Sequence, residues 1–402
     1  MSTAGVVIAG AGVAGAQTAV ALREQGFDGP VVLIGAEPHR PYDRPALSKN
    51  LLLGKEDDPV YDIDFEGLGV ELRPGVEVTG LRAHDREVDT SDGPVPYGTL
   101  VVATGAGPVP LLGTDEDVHT LRTLDDARRL RPVLDERRDV VVVGAGWIGA
   151  EFATAACAAG CAVTVVEAAG RPLAGALPAG ATAPMADWYA RAGAELLLDA
   201  RVAGREPGAV VLADGRRLAA GAVVVGVGAR PATAWLAGSG VALGADGSVI
   251  ADDRLRTSLP DVYAAGDCAS FPSARYGTRL LVHHWDNALQ APHVVACGIT
   301  GTTGRPYDPV PYFWSEQFGR YVQYAGHHAA ADTVVTRGEP TDPEWSLLWL
   351  RGDVPVAVLA VDRPRDLAQG RKLIESGARL DPRLAGDPSV PLKAARGGRP
   401  AR

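Results

Sequence analysis

The sequence predicts an α/β protein with two parallel-sheet units, the second inserted into the first, followed by a smaller α+β domain. Three observations predict it. A strand, glycine turn, helix and second strand occur in that order at Gly5–Glu37 and again at Val140–Glu167. The strands of both copies are wholly apolar, as strands covered on both faces are. From about Tyr312 the texture changes to clustered aromatics and alternating runs, Trp345–Leu350 and Val354–Val361, which read as an antiparallel sheet.

The first copy runs from the strand Gly5–Ala9 into Gly10-Ala11-Gly12-Val13-Ala14-Gly15, a helix to Gln25 closed by Gly26, and a strand Val31–Ile34 ending near Glu37. The second has the strand Val140–Val143, the turn Gly144-Ala145-Gly146-Trp147-Ile148-Gly149, a helix to about Ala159 with Gly160 after it, and a strand Ala162–Val166 ending at Glu167. A lone GxGxxG means little. Here each motif follows a strand, opens a helix and has a carboxylate roughly 20 residues on, the context that dinucleotide binding requires. The glycines permit a tight turn and close backbone approach to a pyrophosphate. The helix N-terminus supplies free N–H groups and about half a positive charge. Glu37 and Glu167 are placed to accept hydrogen bonds from adenosine ribose hydroxyls. Two Rossmann-like sites imply two dinucleotides.

Further short strands, Thr99–Ala103 before Thr104-Gly105 and Ala222–Val227 before Gly228, belong to these units. The stretch Thr257–Cys268 assigns the first site to a flavin. It reads as a strand ending in Gly266-Asp267 ahead of a helix, so that Asp267 reaches a ribityl hydroxyl and the helix N-terminus faces a phosphate. An ordinary helix N-cap is the competing reading of Asp267. Because this stretch lies beyond the second glycine turn, the first domain is split. The expected boundaries are 1–112 with 239–309 for FAD, 113–238 for NAD, 310–396 for the C-terminal domain with a helix near Arg365–Ser376, and 397–402 as a flexible tail.

Composition excludes several classes. With 39 Lys and Arg against 49 Asp and Glu, the net charge is -10, which argues against binding a phosphate backbone. Four cysteines, Cys157, Cys161, Cys268 and Cys297, make no disulfide framework. They contain no CxxC pair for a zinc ribbon or a dithiol, and no metal site is expected. The spacing of Cys157 and Cys161 is that of buried small hydrophobes. The apolar stretch Gly5–Leu22 lacks the basic flank of a signal peptide, and the Ala-rich run Glu151–Glu167 is too short and weakly apolar to span a membrane. A cytoplasmic protein, monomeric or homodimeric, is expected.

Several segments together resemble the FAD-dependent NAD(P)H:ferredoxin reductases of bacterial oxygenase systems, the putidaredoxin reductase-like family. These are Pro41-Tyr42-Asp43-Arg44-Pro45-Ala46-Leu47-Ser48-Lys49, Leu121–Ala127, Gly266-Asp267-Cys268-Ala269, Trp285-Asp286-Asn287-Ala288, Phe313-Trp314-Ser315 and Val361–Arg365. The resemblance covers nearly the whole chain. It implies that electrons pass from NADH through FAD to an iron–sulfur ferredoxin serving an oxygenase. The charge of Glu167 makes NADPH, with its 2′-phosphate, the poorer coenzyme, although Arg171 four residues on is within reach of a phosphate.

Carried over residue by residue, the resemblance places Arg44, Lys49 and Arg122 against FAD. Lys49 would lie at the reactive edge of the isoalloxazine, Glu151 near Lys49 and the nicotinamide, and Trp314 beside the flavin; these three are the candidate catalytic residues. Along FAD it places Gly10, Gly12, Ala14, Gly15, Glu37, Val78, Ala103, Thr104, Gly105, Asp267, His283, His284 and Trp285. Along NAD it places Gly144, Gly146, Ile148, Gly149, Glu151, Glu167 and Gly228. Glu151 also reads as a helix-start carboxylate, and Trp314 as a core anchor.

The sequence departs from the family at three points. His283 stands where glutamate is usual, and either adds a charge that varies near neutral pH or is a neutral replacement. Gly107 replaces a frequent arginine, and the segment Arg171–Gly175 lacks a second one. Two other functions stay open: a flavin-dependent oxidase or tailoring enzyme acting directly on a small molecule, and a redox-sensing interaction protein. An acidic ferredoxin needs a basic face. The candidates are Arg128, Arg129, Arg131, Arg137 and Arg138, or Arg363, Arg365, Arg371 and Lys372, each of which also reads as a solvated mixed-charge helix face.

Overall fold

The computed structural model describes residues 5–56, 58–113 and 116–397. Of the tail expected at 397–402, Gly397 donates its N–H to Arg379 and the rest lies outside the described residues. The chain forms two compact units. The first gathers the stretch ending at Asp43, Asp58–Gly107 and Ala229–Pro309; the second gathers the segment beginning at Arg44, Pro108–Gly228 and the chain from Val310.

In the first unit five strands form a parallel sheet in the order Val262–Ala264, Thr99–Val102, Val6–Ala9, Val31–Gly35, Val70–Pro74. Val6–Ala9 is central and fully buried, which is why its four residues are apolar without alternation. Its neighbours are reached by connections running in opposite directions. The crevice beyond its carboxyl end, where Gly10 follows Ala9, is therefore the topological switch point of the sheet. The helix Val13–Glu24 starts there and packs on the helix Trp285–Thr300. Beneath the sheet a core of Val7, Leu100, Val102, Leu236, Val249 and Val262 is closed by the small antiparallel sheet that carries Val78, Val88 and Val95.

In the second unit the parallel order is Glu195–Leu197, Val163–Val166, Val140–Val143, Ala222–Val225, Val118–His119. Val140–Val143 is again central and buried, and again runs into a glycine turn and a helix, Trp147–Ala159. Gly160 ends that helix at φ 86°, a left-handed conformation that glycine adopts without strain. The same unit holds an antiparallel sheet in the order Tyr312–Gln317, Arg320–Gly326, Val354–Val361, Trp345–Arg351, Thr333–Arg337, covered by the helix Pro364–Ser376. Arg337, 1% exposed, ties this domain together: it pairs with Asp366 and donates to the carbonyls of Ala385, Asp387 and Val390.

The unit boundaries fall where backbone bonds change partners. Val109 donates to Gly228, whereas Ala232 donates to Gly105 and Leu236 enters the first unit's core, so residues 229–238 lie with the first unit. The segment beginning at Arg44 belongs to the second unit, because Arg44 donates to the Arg122 carbonyl and both Ser48 and Lys49 bond Glu151.

Candidate functional site

The first glycine turn is built so that only one of its glycines is open to a ligand. A Cβ on Gly10, which has φ 112°, would lie 2.2 Å from the Ala103 carbonyl oxygen, and one on Gly15 would lie 1.8 Å from the Gly10 oxygen. These two residues are glycines because strand, turn and helix touch through them. At Gly12 an added Cβ meets nothing within 4 Å. Gly12 is also the N-cap of the Val13–Glu24 helix and gives it no side-chain cap, so the first-turn amides face that open space. A pyrophosphate fits such a cradle. Glu37 stands just past the end of Val31–Gly35 and accepts the Tyr42 hydroxyl at 2.5 Å.

Asp267 is brought to the same turn. A Cβ on Gly266, φ 78°, would come within 2.9 Å of the Ala14 side chain, so the turn bearing Asp267 rests on the first turn of the glycine helix. The helix expected after Asp267 is absent: Gly266–Cys268 is a single 3₁₀ turn and Ala269–Ser273 is a strand paired with Thr278–Leu281. Pro272 lacks the N–H that a helix would need, and Cys268 instead fills a fully buried place in the core. Asp267 therefore stands on a tight turn that runs into a strand and not into the expected helix.

Around this turn the other candidates of the first unit take up definite places. Ala103 donates its N–H to Ala9; Thr104 donates its hydroxyl to Ala232, and Gly105 turns the chain at φ 68°. Val78 lies at the margin of the core. Trp285 opens the helix Trp285–Thr300 and donates to Tyr61, which in turn donates to Asp43. His284, the N-cap, is pushed down to about 4 by burial, a shift that the Asp267 charge opposes and His283 reinforces. His283 has a buried Nε2 with no hydrogen-bond partner among the described residues. A buried imidazole nitrogen left so is a polar atom suited to a ligand.

The second glycine turn repeats the design. A Cβ on Gly144 would lie 2.5 Å from Gly226 O and one on Gly149 would lie 2.0 Å from Gly144 O, while Gly146 meets only Gly226 O, at 3.7 Å. The helix Trp147–Ala159 also starts without a side-chain cap. Ile148 and Val227 stand exposed on either side, with Gly228 following at φ 126°. Glu167 accepts the N–H of Ala145, inside the turn, with one oxygen and that of Ala169 with the other, each at 2.8 Å. Arg171 does not wait for a phosphate: its guanidinium is bound to the carbonyls of Leu177 and Ala174 and to the Thr182 hydroxyl.

Two of the three candidate catalytic residues meet. Lys49 donates to Glu151 at 2.9 Å, with the carboxylate 6% exposed. Sequence reasoning missed the rest of this cluster. The Ser48 hydroxyl donates to the same oxygen of Glu151 as Lys49, and the Ser315 hydroxyl donates to the other oxygen at 2.8 Å. Ser315 in turn accepts from Gln317 at 3.1 Å. The available signal was adjacency, since Ser48 precedes Lys49 and Ser315 follows Trp314. Trp314 itself is not part of the cluster. Successive side chains of a strand alternate in direction, and in Tyr312–Gln317 Phe313 and Ser315 face the Trp147–Ala159 helix, Phe313 against Trp147 with ring centroids 4.4 Å apart. Trp314 points the other way and stacks on Tyr312. Arg44 and Arg122 meet through a side-chain to backbone bond of 2.5 Å.

Other readings lose ground. Burial pushes the Cys157 thiol up to about 11, and Cys161 upward as well, so neither is a ready nucleophile. The first basic cluster is largely neutralised on its own helix and the residues just after it, by Arg128–Asp125, Arg129–Asp126 and Arg138–Glu136 pairs. In the second, Arg363 pairs with Asp366 and Arg371 with Glu375. Arg365 and Lys372 stay exposed with no ion pair among the described residues. No helix of the described residues is long and apolar enough to cross a membrane.

The chain is similar to known proteins over nearly its whole length. Residues 4–291 match the family of pyridine nucleotide-disulphide oxidoreductases, and residues 312–396 match the reductase C-terminal domain. The chain is 36% identical to the ferredoxin–NAD(+) reductase component of the anthranilate 1,2-dioxygenase system of Burkholderia cepacia, over 98% of this chain and 99% of that one. It is 32% identical to putidaredoxin reductase of Pseudomonas putida, over 96% of each. The crystal structure of the covalent putidaredoxin reductase–putidaredoxin complex superposes with a TM-score of 0.93 at 31% identity, covering 98% of both chains.

Proposed function

The chain belongs to the pyridine nucleotide-disulphide oxidoreductases, on the branch of the ferredoxin reductases of oxygenase systems, and we propose that it carries electrons from NADH through FAD to an iron–sulfur ferredoxin in the cytoplasm. FAD and NADH are its cofactors. Bound FAD supplies the conversion of a two-electron hydride donor into a one-electron reductant. The chain's own part is to hold, orient and charge.

The observation that carries the reading is the pair of cradles at Gly12 and Gly146, each with an uncapped helix start and a carboxylate past the next strand. We assign the first, with Glu37 and Asp267, to FAD, and the second, with Glu167, to NADH. Supporting the first assignment are the turn of Asp267 against Ala14 and the buried nitrogen of His283, which has no hydrogen-bond partner among the described residues. Supporting NADH over NADPH are the carboxylate of Glu167 and the commitment of Arg171 to its own loop. At about 4 Å, one unit charge repels another by ~1 kcal/mol in water and ~4 near a protein surface. Lys49, held by Glu151, is assigned to the reacting edge of the flavin, where a fixed cation stabilises the negative charge of the reduced ring.

The test is anaerobic. The holoenzyme is reduced with one equivalent of NADH, and reoxidation is followed on adding plant-type or adrenodoxin-type ferredoxins, or small organic acceptors. Fast reoxidation by a ferredoxin is expected; reoxidation by organic molecules alone would overturn the proposal in favour of a tailoring oxidase.

A further inference from the structure

We infer that Ser315 is a positioning residue for the reaction, holding the Lys49–Glu151 ion pair in its working geometry from a strand of the C-terminal domain. The inference deepens the reading of Lys49 above and rests on it.

Glu151 is a buried carboxylate with a divided set of donors. Lys49 and Ser48, neighbours in sequence, both bond Oε2, and Ser315 alone serves Oε1 among the hydrogen bonds of this cluster. A carboxylate held at one oxygen can swing about its Cγ–Cδ bond, whereas one held at both cannot. Ser315 is therefore the group that sets the plane of the carboxylate, and through it the place of the Lys49 ammonium.

The hydroxyl of Ser315 has a definite polarity. Gln317, two residues on and so on the same face of the strand, donates its amide N–H to Ser315 Oγ. That occupies an acceptor position of the hydroxyl and leaves its proton for Glu151. Ser315 and Gln317 are each 1% exposed, so no water replaces either bond. Removing the Ser315 hydroxyl leaves Glu151 Oε1 buried without its donor, a penalty that the cluster can relieve only by rotating the carboxylate. Lys49 then follows, because its other acceptors, Pro45 O at 3.3 Å and Ser48 Oγ at 3.5 Å, are weaker. The Val140–Val143 and Val163–Val166 strands against the helix are uncharged, Arg44 is engaged with the Arg122 carbonyl, and the Leu124–Asp135 helix pairs Asp126 with Arg129.

The experiment compares Ser315→Ala, Ser315→Thr, Gln317→Leu and Glu151→Gln as FAD-loaded proteins, with three readouts: the midpoint potential of the bound flavin, the rate of anaerobic flavin reduction at saturating NADH, and the KM for NADH. Ser315→Ala is expected to shift the potential to more negative values and slow reduction about tenfold with KM unchanged, the scale of a misplaced catalytic group. Ser315→Thr keeps the hydroxyl and restores both, and Gln317→Leu moves both in the same direction as Ser315→Ala but less. Should Ser315→Ala fail to hold FAD, Gln317→Leu carries the test, since it leaves the hydroxyl in place. An unchanged potential and rate in Ser315→Ala, with Glu151→Gln slow, overturns the positioning role alone. A wild-type rate and potential in Glu151→Gln overturns the reading of the ion pair and the role of Ser315 with it.

Discussion

Glu167 and Ala145 are joined by a hydrogen bond of 2.8 Å, from an amide inside the second glycine turn to the carboxylate just past the neighbouring strand. The carboxylate is thus fixed before any nucleotide arrives, and the turn is fixed by it. Ribose hydroxyls can still be accepted, since a carboxylate has about four lone-pair sites and two are in use. Replacing Glu167 by Gln removes the charge and one of the two backbone bonds. The ratio of kcat/KM for NADH over NADPH is expected to fall about tenfold, the lower end of the charge–phosphate repulsion. Steady-state kinetics with both coenzymes decides it, and an unchanged ratio would remove Glu167 from the site.

The glycines of that turn divide into two kinds, and substitution separates them. Gly149→Ala forces a Cβ to within 2.0 Å of the Gly144 carbonyl, so the helix start must shift. A loss of about 1–3 kcal/mol of stability is expected from such overpacking, read as a lower thermal midpoint. Gly146→Ala meets only one atom, at 3.7 Å. It should fold and hold FAD normally yet raise the KM for NADH about tenfold, because its methyl projects toward the first-turn amides that bind phosphate. If Gly146→Ala also lost FAD, the assignment of the two cradles would be reversed.

His284 gives the protein a calculable sensitivity to acid. Burial holds its folded-state value down to about 4, against about 6.5 for a free histidine. Between those values the unfolded chain binds the proton and the folded chain does not, so stability rises with pH in that window. The contribution is intact above about pH 6.5 and is lost as pH falls toward 4, by roughly 3 kcal/mol at most. Thermal midpoints of wild type and His284→Gln, measured from pH 7 to pH 4.5, should converge as the pH falls. Parallel curves would show that His284 is not the group that titrates.

Charge pairing makes unequal predictions for the two basic faces. Reversing Arg128, Arg129 and Arg138 breaks pairs that already cancel, so the salt dependence of ferredoxin-mediated cytochrome c reduction should not change. Reversing Arg365 and Lys372, which have no such pairs among the described residues, should lower turnover at low salt and flatten its salt dependence. The opposite pattern would move the docking face to the first helix.

Much of this was legible in the sequence because it rests on local chemistry. Gly10-Ala11-Gly12 and Gly144-Ala145-Gly146 sit between a buried four-residue strand and a helix in both places, and the alternation after Trp345 did mark an antiparallel strand. The helix expected after Asp267 failed because a Gly-Asp turn is equally good at the start of a hairpin, and Ser-Phe-Pro-Ser pairs with Thr278–Leu281. Ser48 and Ser315 were invisible as functional residues for a different reason. Each is an ordinary small polar residue whose partner lies more than 100 positions away, 103 and 164 respectively. Only tertiary structure brings such donors to one carboxylate.

The strand Tyr312–Gln317 presents Ser315 to Glu151 and Trp314 to the opposite side. Sequence drift along this strand is therefore limited by parity. The Phe318-Gly319 turn fixes the register with the next strand, so deleting one residue between Ser315 and Gln317 would exchange the two faces, seating an indole where a hydroxyl must meet a carboxylate. A change of two residues would keep each side chain on its own face. Natural length variants of this segment should accordingly differ from this chain in even steps.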